Sequence, residues 1–157
     1  MSIDNENQNI NETSEKEELV IDAATLIRMA MDARTNSYCP YSGYAVGAAL
    51  LCSDGYVFTG CNIENASFSP GICAERCAIY KAVSCEHKDF LAIAIAGSPV
   101  GDEITQFSFP CGVCRQVMRE FVNPQAFKVI VAGPNDTYVE KTLEEFLPNS
   151  FGPDNLY

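Results

Sequence analysis

Long apolar runs are missing from this sequence. No stretch of the 157 residues approaches the ~18–20 apolar residues that a membrane-spanning helix needs. The first residues are acidic and carry no apolar core of a secretory leader. The reading is therefore a cytoplasmic protein with no membrane partner. Positive charge is scarce as well: 10 Lys and Arg stand against 21 Asp and Glu, for a net charge of −11. Asp4, Glu6, Glu12, Glu15, Glu17 and Glu18 against Lys16 place five of those charges in the first 18 residues, and the remainder still carries six. Nucleic-acid binders draw most of their affinity from Lys and Arg on phosphates. An acidic body without a basic run excludes a polynucleotide as the expected partner. Internal repeats are absent too, so a repeat architecture is not expected.

What is present suits one ordinary domain. Hydrophobic residues make up 47% of the chain, and a chain near 150 residues buries roughly 70% of its unfolded surface. Residues 1–14 are polar and rich in Asn and Glu, and read as a disordered acidic tail. Residues 15–157 read as a single domain.

Ser14 and Glu17 have capping-box spacing. After them Val20, Ala23, Ala24, Ile27, Ala30 and Met31 recur at three and four, which predicts a helix to about Arg34. A turn-rich stretch runs from Asn36 to Gly43. Val46 to Cys52 and Tyr56 to Asn62 read as strands joined at Asp54-Gly55, a hairpin signal. Ser69-Pro70-Gly71 breaks the chain before a helix over Cys73 to Val83. Phe90 to Ala96 is a nearly continuous apolar run, expected of a strand covered on both faces. A helix over Cys111 to Phe121, strands at Phe127 to Ala132 and Tyr138-Val139, and a short helix over Leu143 to Leu147 complete the order. The pattern predicts an α/β fold: a three-layer α/β/α sandwich around a mixed five-stranded sheet.

The eight cysteines need a reason. In a cytosolic chain they are metal ligands or buried thiols more often than disulfides. Cys111 and Cys114 are i and i+3 at a helix start, so they share one side and can share a metal. Cys73 supplies a third sulfur from another helix start. Helix N-termini favour thiolate over thiol. A lone C-x-x-C also fits a redox pair or a structural zinc site, and Cys77, Cys85 and His87 offer a fourth ligand for the latter. Glu75, two residues beyond Cys73, and Pro110, directly before Cys111, favour catalysis. Together Cys73-Ala74-Glu75 and Pro110-Cys111-Gly112-Val113-Cys114 match the C-x-E…P-C-x-x-C form of the zinc deaminase signature. Three protein ligands leave the fourth position of a tetrahedral zinc open, as catalysis requires. Three thiolates put charge −1 on that centre. Arg76, beside the motif, is the expected offset.

At these motifs the chain resembles the cytidine deaminases, in particular the small homotetrameric class with three cysteine ligands. The likeness runs from near Leu26 to the end. It includes Tyr38-Cys39-Pro40-Tyr41-Ser42, Val46-Gly47-Ala48-Ala49-Leu50, Gly60-Cys61-Asn62-Ile63-Glu64-Asn65-Ala66, Gly71-Ile72-Cys73-Ala74-Glu75-Arg76, Cys114-Arg115-Gln116-Val117 and Phe151-Gly152-Pro153. The resemblance implies hydrolytic deamination of free cytidine and deoxycytidine to uridine and deoxyuridine, with release of ammonia, in pyrimidine salvage. It implies one Zn2+ per subunit on Cys73, Cys111 and Cys114, with Glu75 as proton shuttle. Asn62 and Glu64 resemble the pair that holds the ribose hydroxyl. Ala66 and Ala74 would offer backbone groups to the base, with Tyr44 and Phe68 against the nucleoside. Phe151 resembles the aromatic that reaches a neighbouring subunit's site, which implies a homotetramer.

An aminonucleoside antibiotic deaminase would share the zinc motifs but lack Asn62-Ile63-Glu64 and Phe151-Gly152-Pro153. A zinc-binding scaffold is a rival from another class, and turnover separates it. Cys39, Cys52, Cys61, Cys77 and Cys85 read as buried small apolar groups. His87, in a charged loop, reads as a solvated surface residue.

Overall fold

The spacing of large and small apolar residues decides how this chain layers. A computed structural model describes residues 21–156. The acidic tail over 1–14 and the Ser14–Glu17 box lie outside the described residues.

Helix α1 spans Ala23–Arg34. It starts later than the periodicity predicts, because Asp22 caps it. Asp22 is extended and its carboxylate accepts the Thr25 N–H at 2.8 Å, which satisfies one of the free donors of the first turn. Strands β1 (Tyr44–Cys52) and β2 (Val57–Cys61) form the expected hairpin, with Gly55 at φ 88° in the turn. Helix α2 (Ala74–Ser84) leads to β3 (Phe90–Pro99), three residues longer than its apolar run. Then come α3 (Gly112–Phe121), β4 (Lys128–Ala132), β5 (Tyr138–Thr142) and α4 (Leu143–Phe146). The sheet order is β2-β1-β3-β4-β5, parallel only between β3 and β4 and antiparallel elsewhere. The expected mixed five-stranded sheet is therefore present.

Successive side chains of a strand point to opposite faces. In β3, Ile93 and Ile95 point one way, and Ala92, Ala94 and Ala96 the other. In β1, Ala48 and Leu50 join the isoleucines, and Ala49 joins the alanines. The alanine face lets α1 lie close, through Leu26 and Ala30. The other face packs against Ala78 and Ile79 of α2 and Met118 of α3. Burying each such Ile, Leu or Met contributes about 1.5–3 kcal/mol. The three layers are thus α1, the sheet, and α2 with α3.

Gly60 of β2 makes one approach possible. A Cβ there would sit 2.5 Å from Ala74 O and Ala78 N, so only glycine lets the first turns of α2 rest on the strand. That contact positions the start of α2, which carries Cys73 and Glu75.

Four expectations need correction. Cys85 is exposed, and Cys61 and Cys77 are only half-buried; Cys39 and Cys52 are buried as expected. Cys85 follows the last residue of α2, at a helix end that projects into water. His87 is not freely solvated. Its Nδ1 lies 2.8 Å from Asp54 Oδ2 and its ring packs 5.0 Å from those of Tyr56 and Phe58, because Glu86 at φ 68° turns it back toward the hairpin.

Candidate metal centre and active-site cavity

Two helix starts face each other. Cys73 is the N-cap of α2 and Cys111 the N-cap of α3, both with extended backbone. Cys114 sits one turn into α3, fully buried, and its N–H reaches back to Cys111 Sγ at 3.5 Å. The sulfurs of Cys73 and Cys111 are 3.9 Å apart, and those of Cys111 and Cys114 are 3.5 Å apart. A tetrahedral zinc with bonds of about 2.3 Å holds its sulfurs about 3.8 Å apart, so the three residues fit the ion.

Electrostatics agree. A hydrogen bond from Cys114, with help from Arg76 and Cys111, pulls the Cys73 thiol down to about 5. Arg76 Nη2 lies 3.8 Å from Cys73 Sγ, and its Nε is buried without a partner. A guanidinium in this position offsets negative charge at the sulfurs, as expected of a centre with three thiolates.

Glu75 lies in the first turn of α2 and is 4% exposed. Burial pushes its carboxyl up to about 7, and negative charge on Cys73 adds to the rise. It lines a cavity of about 380 Å³ together with Cys73, Ala74 and Cys111. Tyr44 and Asn62 form part of the same wall. A second cavity of about 540 Å³ is lined by Glu64, Phe68 and Arg76, and the two share Ser42, Asn62 and Cys73. The site is a two-lobed cleft beside the carboxyl end of β3, the usual place for ligands in open α/β sheets.

Local structure fixes the lining. Asn62 Oδ1 accepts from Val46 N–H and its Nδ2 donates to Tyr44 O, both at 2.8 Å, so its amide is clamped across β1 with one N–H and one lone pair to spare. Glu64 Oε2 accepts the N–H groups of Tyr41 at 3.0 Å and Ser42 at 3.2 Å. The Ser42 side chain first, and then these two N–H groups, hold its carboxyl below the ordinary carboxylate range. Oε1 carries no hydrogen bond among the described residues.

The structure brings together Cys73, Cys111, Cys114, Glu75, Ala74, Tyr44, Asn62, Glu64, Phe68 and Arg76. It leaves two expected residues out. Ala66 is exposed and outside the walls of both cavities. Phe151 is 60% exposed, follows α4, and lines neither cavity of its own chain.

Lining residues that the motifs do not point to include Gln106, Phe107, Ser108 and Phe109. Ser108 Oγ donates to Gly97 O at 3.2 Å. Its one proton is thus committed, so at 2.7 Å it accepts from Tyr44 Oη. Phe107 and Phe109 stack at 5.9 Å between centroids, and Phe109 continues onto Phe146 of α4.

Comparisons place this geometry among known proteins. Residues 21–131 match the family model described as the cytidine and deoxycytidylate deaminase zinc-binding region. A cytidine deaminase of Halalkalibacterium halodurans is 42% identical over 139 residues, which cover 87% of this chain and 98% of the relative. One of Sporosarcina psychrophila is 40% identical over 136 residues, 87% of this chain and 96% of the relative. The crystal structure of a cytidine deaminase from Burkholderia pseudomallei superposes with a TM-score of 0.73 at 40% identity, covering 80% of this chain and 96% of that one. Its motif cysteines meet at one point, and its likeness to these relatives extends over most of its length: the chain belongs to the cytidine and deoxycytidylate deaminase family.

Proposed function

We propose that the protein deaminates free cytidine and deoxycytidine, adding water and releasing ammonia to give uridine and deoxyuridine. One observation carries this reading: a buried carboxyl, pushed up to about 7 by that burial, shares a cavity wall with Cys73 and Cys111, two of the three clustered sulfurs. A zinc scaffold has no use for such a group, whereas a general acid–base works best with a pKa near the working pH.

Cys73, Cys111 and Cys114 would hold one zinc per chain. When bound, zinc supplies Lewis-acid activation of a water molecule. Glu75 takes a proton from water and gives it to N3 of the pyrimidine, which lets oxygen add at C4. It then takes the second proton, from the hydroxyl now on C4, and passes it to the amine, which leaves as ammonia while C4=O forms. Burial serves this role, because an uncharged Glu75 is tolerated in the interior and an ionised one is a strong base there.

Tyr44, Phe107 and Phe109 offer apolar surface to the base in the first lobe. Asn62, with its spare N–H and lone pair where the lobes join, and Glu64, through Oε1 in the second lobe, hold the ribose hydroxyl. Phe68 covers the second lobe. Ala74 offers its backbone to the base, as Ala66 does if its loop turns inward on binding. Glu64 repels a phosphate, which favours nucleosides over deoxycytidylate. Phe151, outside its own chain's cleft, completes the cleft of a neighbour in a homotetramer. Thiolate ligands must stay reduced to bind a metal, which suits a cytoplasmic enzyme of pyrimidine salvage.

The test is incubation with cytidine, followed by the ultraviolet change as the amine is replaced, with ammonia as the check. Conversion that Glu75→Gln abolishes supports the reading. Turnover of deoxycytidylate in preference to either nucleoside contradicts the role given to Glu64. A folded, zinc-loaded protein that turns over none of these refutes the proposal.

A further inference from the structure

At the other end of the sheet, three residues outside the cleft bring a sulfur, a carboxylate oxygen and an imidazole nitrogen within 4.8 Å of one another. They are Cys52 at the end of β1, Asp54 in the β1–β2 turn and His87 in the loop after α2. We propose that Cys52, Asp54 and His87 form a second metal site, which takes a thiophilic divalent cation of the zinc type and ties the hairpin to the α2–β3 loop.

The donor set suits that ion. Zinc accepts thiolate, imidazole and carboxylate together, whereas calcium and magnesium want oxygen alone. With bonds of about 2.0 Å to N and O and 2.3 Å to S, a tetrahedral zinc holds such atoms roughly 3.3–3.5 Å apart. His87 Nδ1 and Asp54 Oδ2 are 2.8 Å apart and no two of the three donor atoms are more than 4.8 Å apart, so the N–O pair opens by about 0.5 Å and the sulfur closes by roughly 1 Å to meet the ion.

Each donor is also held in place. His87 has its backbone N–H on Ala82 O at 3.0 Å and its ring against Tyr56 and Phe58. Asp54 Oδ1 accepts the Tyr56 N–H at 3.2 Å, which leaves Oδ2 to face the histidine. The strand register shifts between Leu51 and Cys52, an irregularity of the kind that re-aims a side chain. Cys52 is 1% exposed, and burial, with the Asp54 and Asp89 carboxylates adding to it, pushes its thiol up to about 11. A cation bound there displaces the thiol proton and offsets the charge of thiolate and carboxylate together.

The plainer account is an Asp54–His87 pair beside a buried cysteine that only fills space. It needs no metal, and metal content distinguishes the two. Tyr44, in the catalytic cleft, is eight residues up the strand from Cys52, roughly 26 Å at the usual rise. The two sites can therefore be read separately.

The experiment loads the full-length protein with zinc, removes excess by dialysis, and measures zinc per chain by atomic absorption alongside cytidine turnover. Two zinc ions per chain are expected in the unaltered protein. His87→Ala and Cys52→Ser should each retain one, with turnover unchanged. Cobalt offers a second measurement on unaltered protein: a second equivalent should add sulfur-to-metal charge-transfer absorption. A single zinc in the unaltered protein, or two in a folded His87→Ala variant, overturns the proposal. Absent turnover with two zinc ions bound would count against the catalytic reading and leave this one standing.

Discussion

A carboxylate that must take a proton and return it needs a pKa close to the working pH, and in water a glutamate falls well short. Glu75 reaches about 7 because it is buried beside the sulfur cluster. Glu75→Gln keeps the shape and removes the exchangeable proton. It should lower kcat by about 10²–10⁴-fold, the usual contribution of general acid–base catalysis, with zinc per chain unchanged by metal analysis. Ser108 makes a different claim. It accepts the Tyr44 hydroxyl inside the cavity wall, and Ser108→Ala leaves that hydroxyl unpaired. A net hydrogen bond is worth about 1 kcal/mol, or roughly fivefold in a binding constant. The expected result is a severalfold rise in KM with kcat nearly unchanged; an equal fall in kcat would show that Ser108 acts on the reacting atoms. Chemistry was far more legible in the sequence than lining. Cys73, Glu75, Cys111 and Cys114 stand out because ligand geometry demands fixed spacing at a helix start. Gln106 to Phe109 belong to an irregular loop before Pro110, where no period marks which side chain faces inward. Arg119, the one buried arginine among the described residues, was invisible because its partners Ser150 and Asp154 are more than thirty positions away.

At the scale of elements, short caps support long-range geometry. Helix α4 has one turn, yet its Phe146 meets Phe109 of the cleft, lies 5.6 Å from the Arg115 guanidinium, and accepts the Arg115 Nη1–H at its carbonyl. Arg115 Nε in turn donates to Pro110 O at 2.7 Å, beside Cys111. The turn is held by a capping box: Glu145 N–H reaches Thr142 Oγ1, and Glu145 Oε2 accepts the Thr142 N–H at 2.8 Å. Thr142→Ala should cost about 1 kcal/mol in denaturant melts. Those bonds hold the Glu145 carboxyl below its ordinary 4.5. A depressed carboxyl contributes stability that is present above the unfolded value and is lost as pH falls through the folded one. The stability gap between the parent and a Glu145→Gln variant should therefore persist above pH 4.5 and close in stronger acid, read by melts across that range. Element types were legible because the patterns are strong: Ile and Ala alternate in β3, and Asp54-Gly55 marks the hairpin. The start of α1 was not, since Ala23 and Ala24 continue a periodicity that begins upstream. Only the side chain of Asp22, bonded to Thr25, shows where the helix opens. His87 was misread for a related reason: a positive φ at Glu86 reverses the direction that a charged loop suggests.

At the scale of the whole molecule, the C-terminal segment is fastened so that its aromatic faces outward. Arg119, 7% exposed, pairs with Asp154 and donates to Ser150 Oγ at 3.1 Å, while Gln116 Nε2 donates to Phe151 O at 3.0 Å. Gly152 makes room for this clamp, because a Cβ there would lie 2.4 Å from the Arg119 guanidinium carbon. The clamp orders the backbone around Phe151 and leaves the ring 60% exposed. Holding a large apolar ring in water is unfavourable for an isolated chain, and useful if a neighbour's cleft receives it. Arg119→Ala should then lower turnover while zinc per chain stays constant. That result alone would not say in which chain Phe151 acts. Mixed oligomers decide it. A Glu75→Gln chain has a dead cleft and an intact Phe151, and a Phe151→Ala chain has the reverse. Co-expressed and purified together, they should form clefts in which Glu75 comes from one chain and Phe151 from the other. Turnover by the mixture should exceed the sum of the two variants assayed apart. Turnover equal to that sum would confine Phe151 to its own chain and remove the argument from shared clefts to a tetramer.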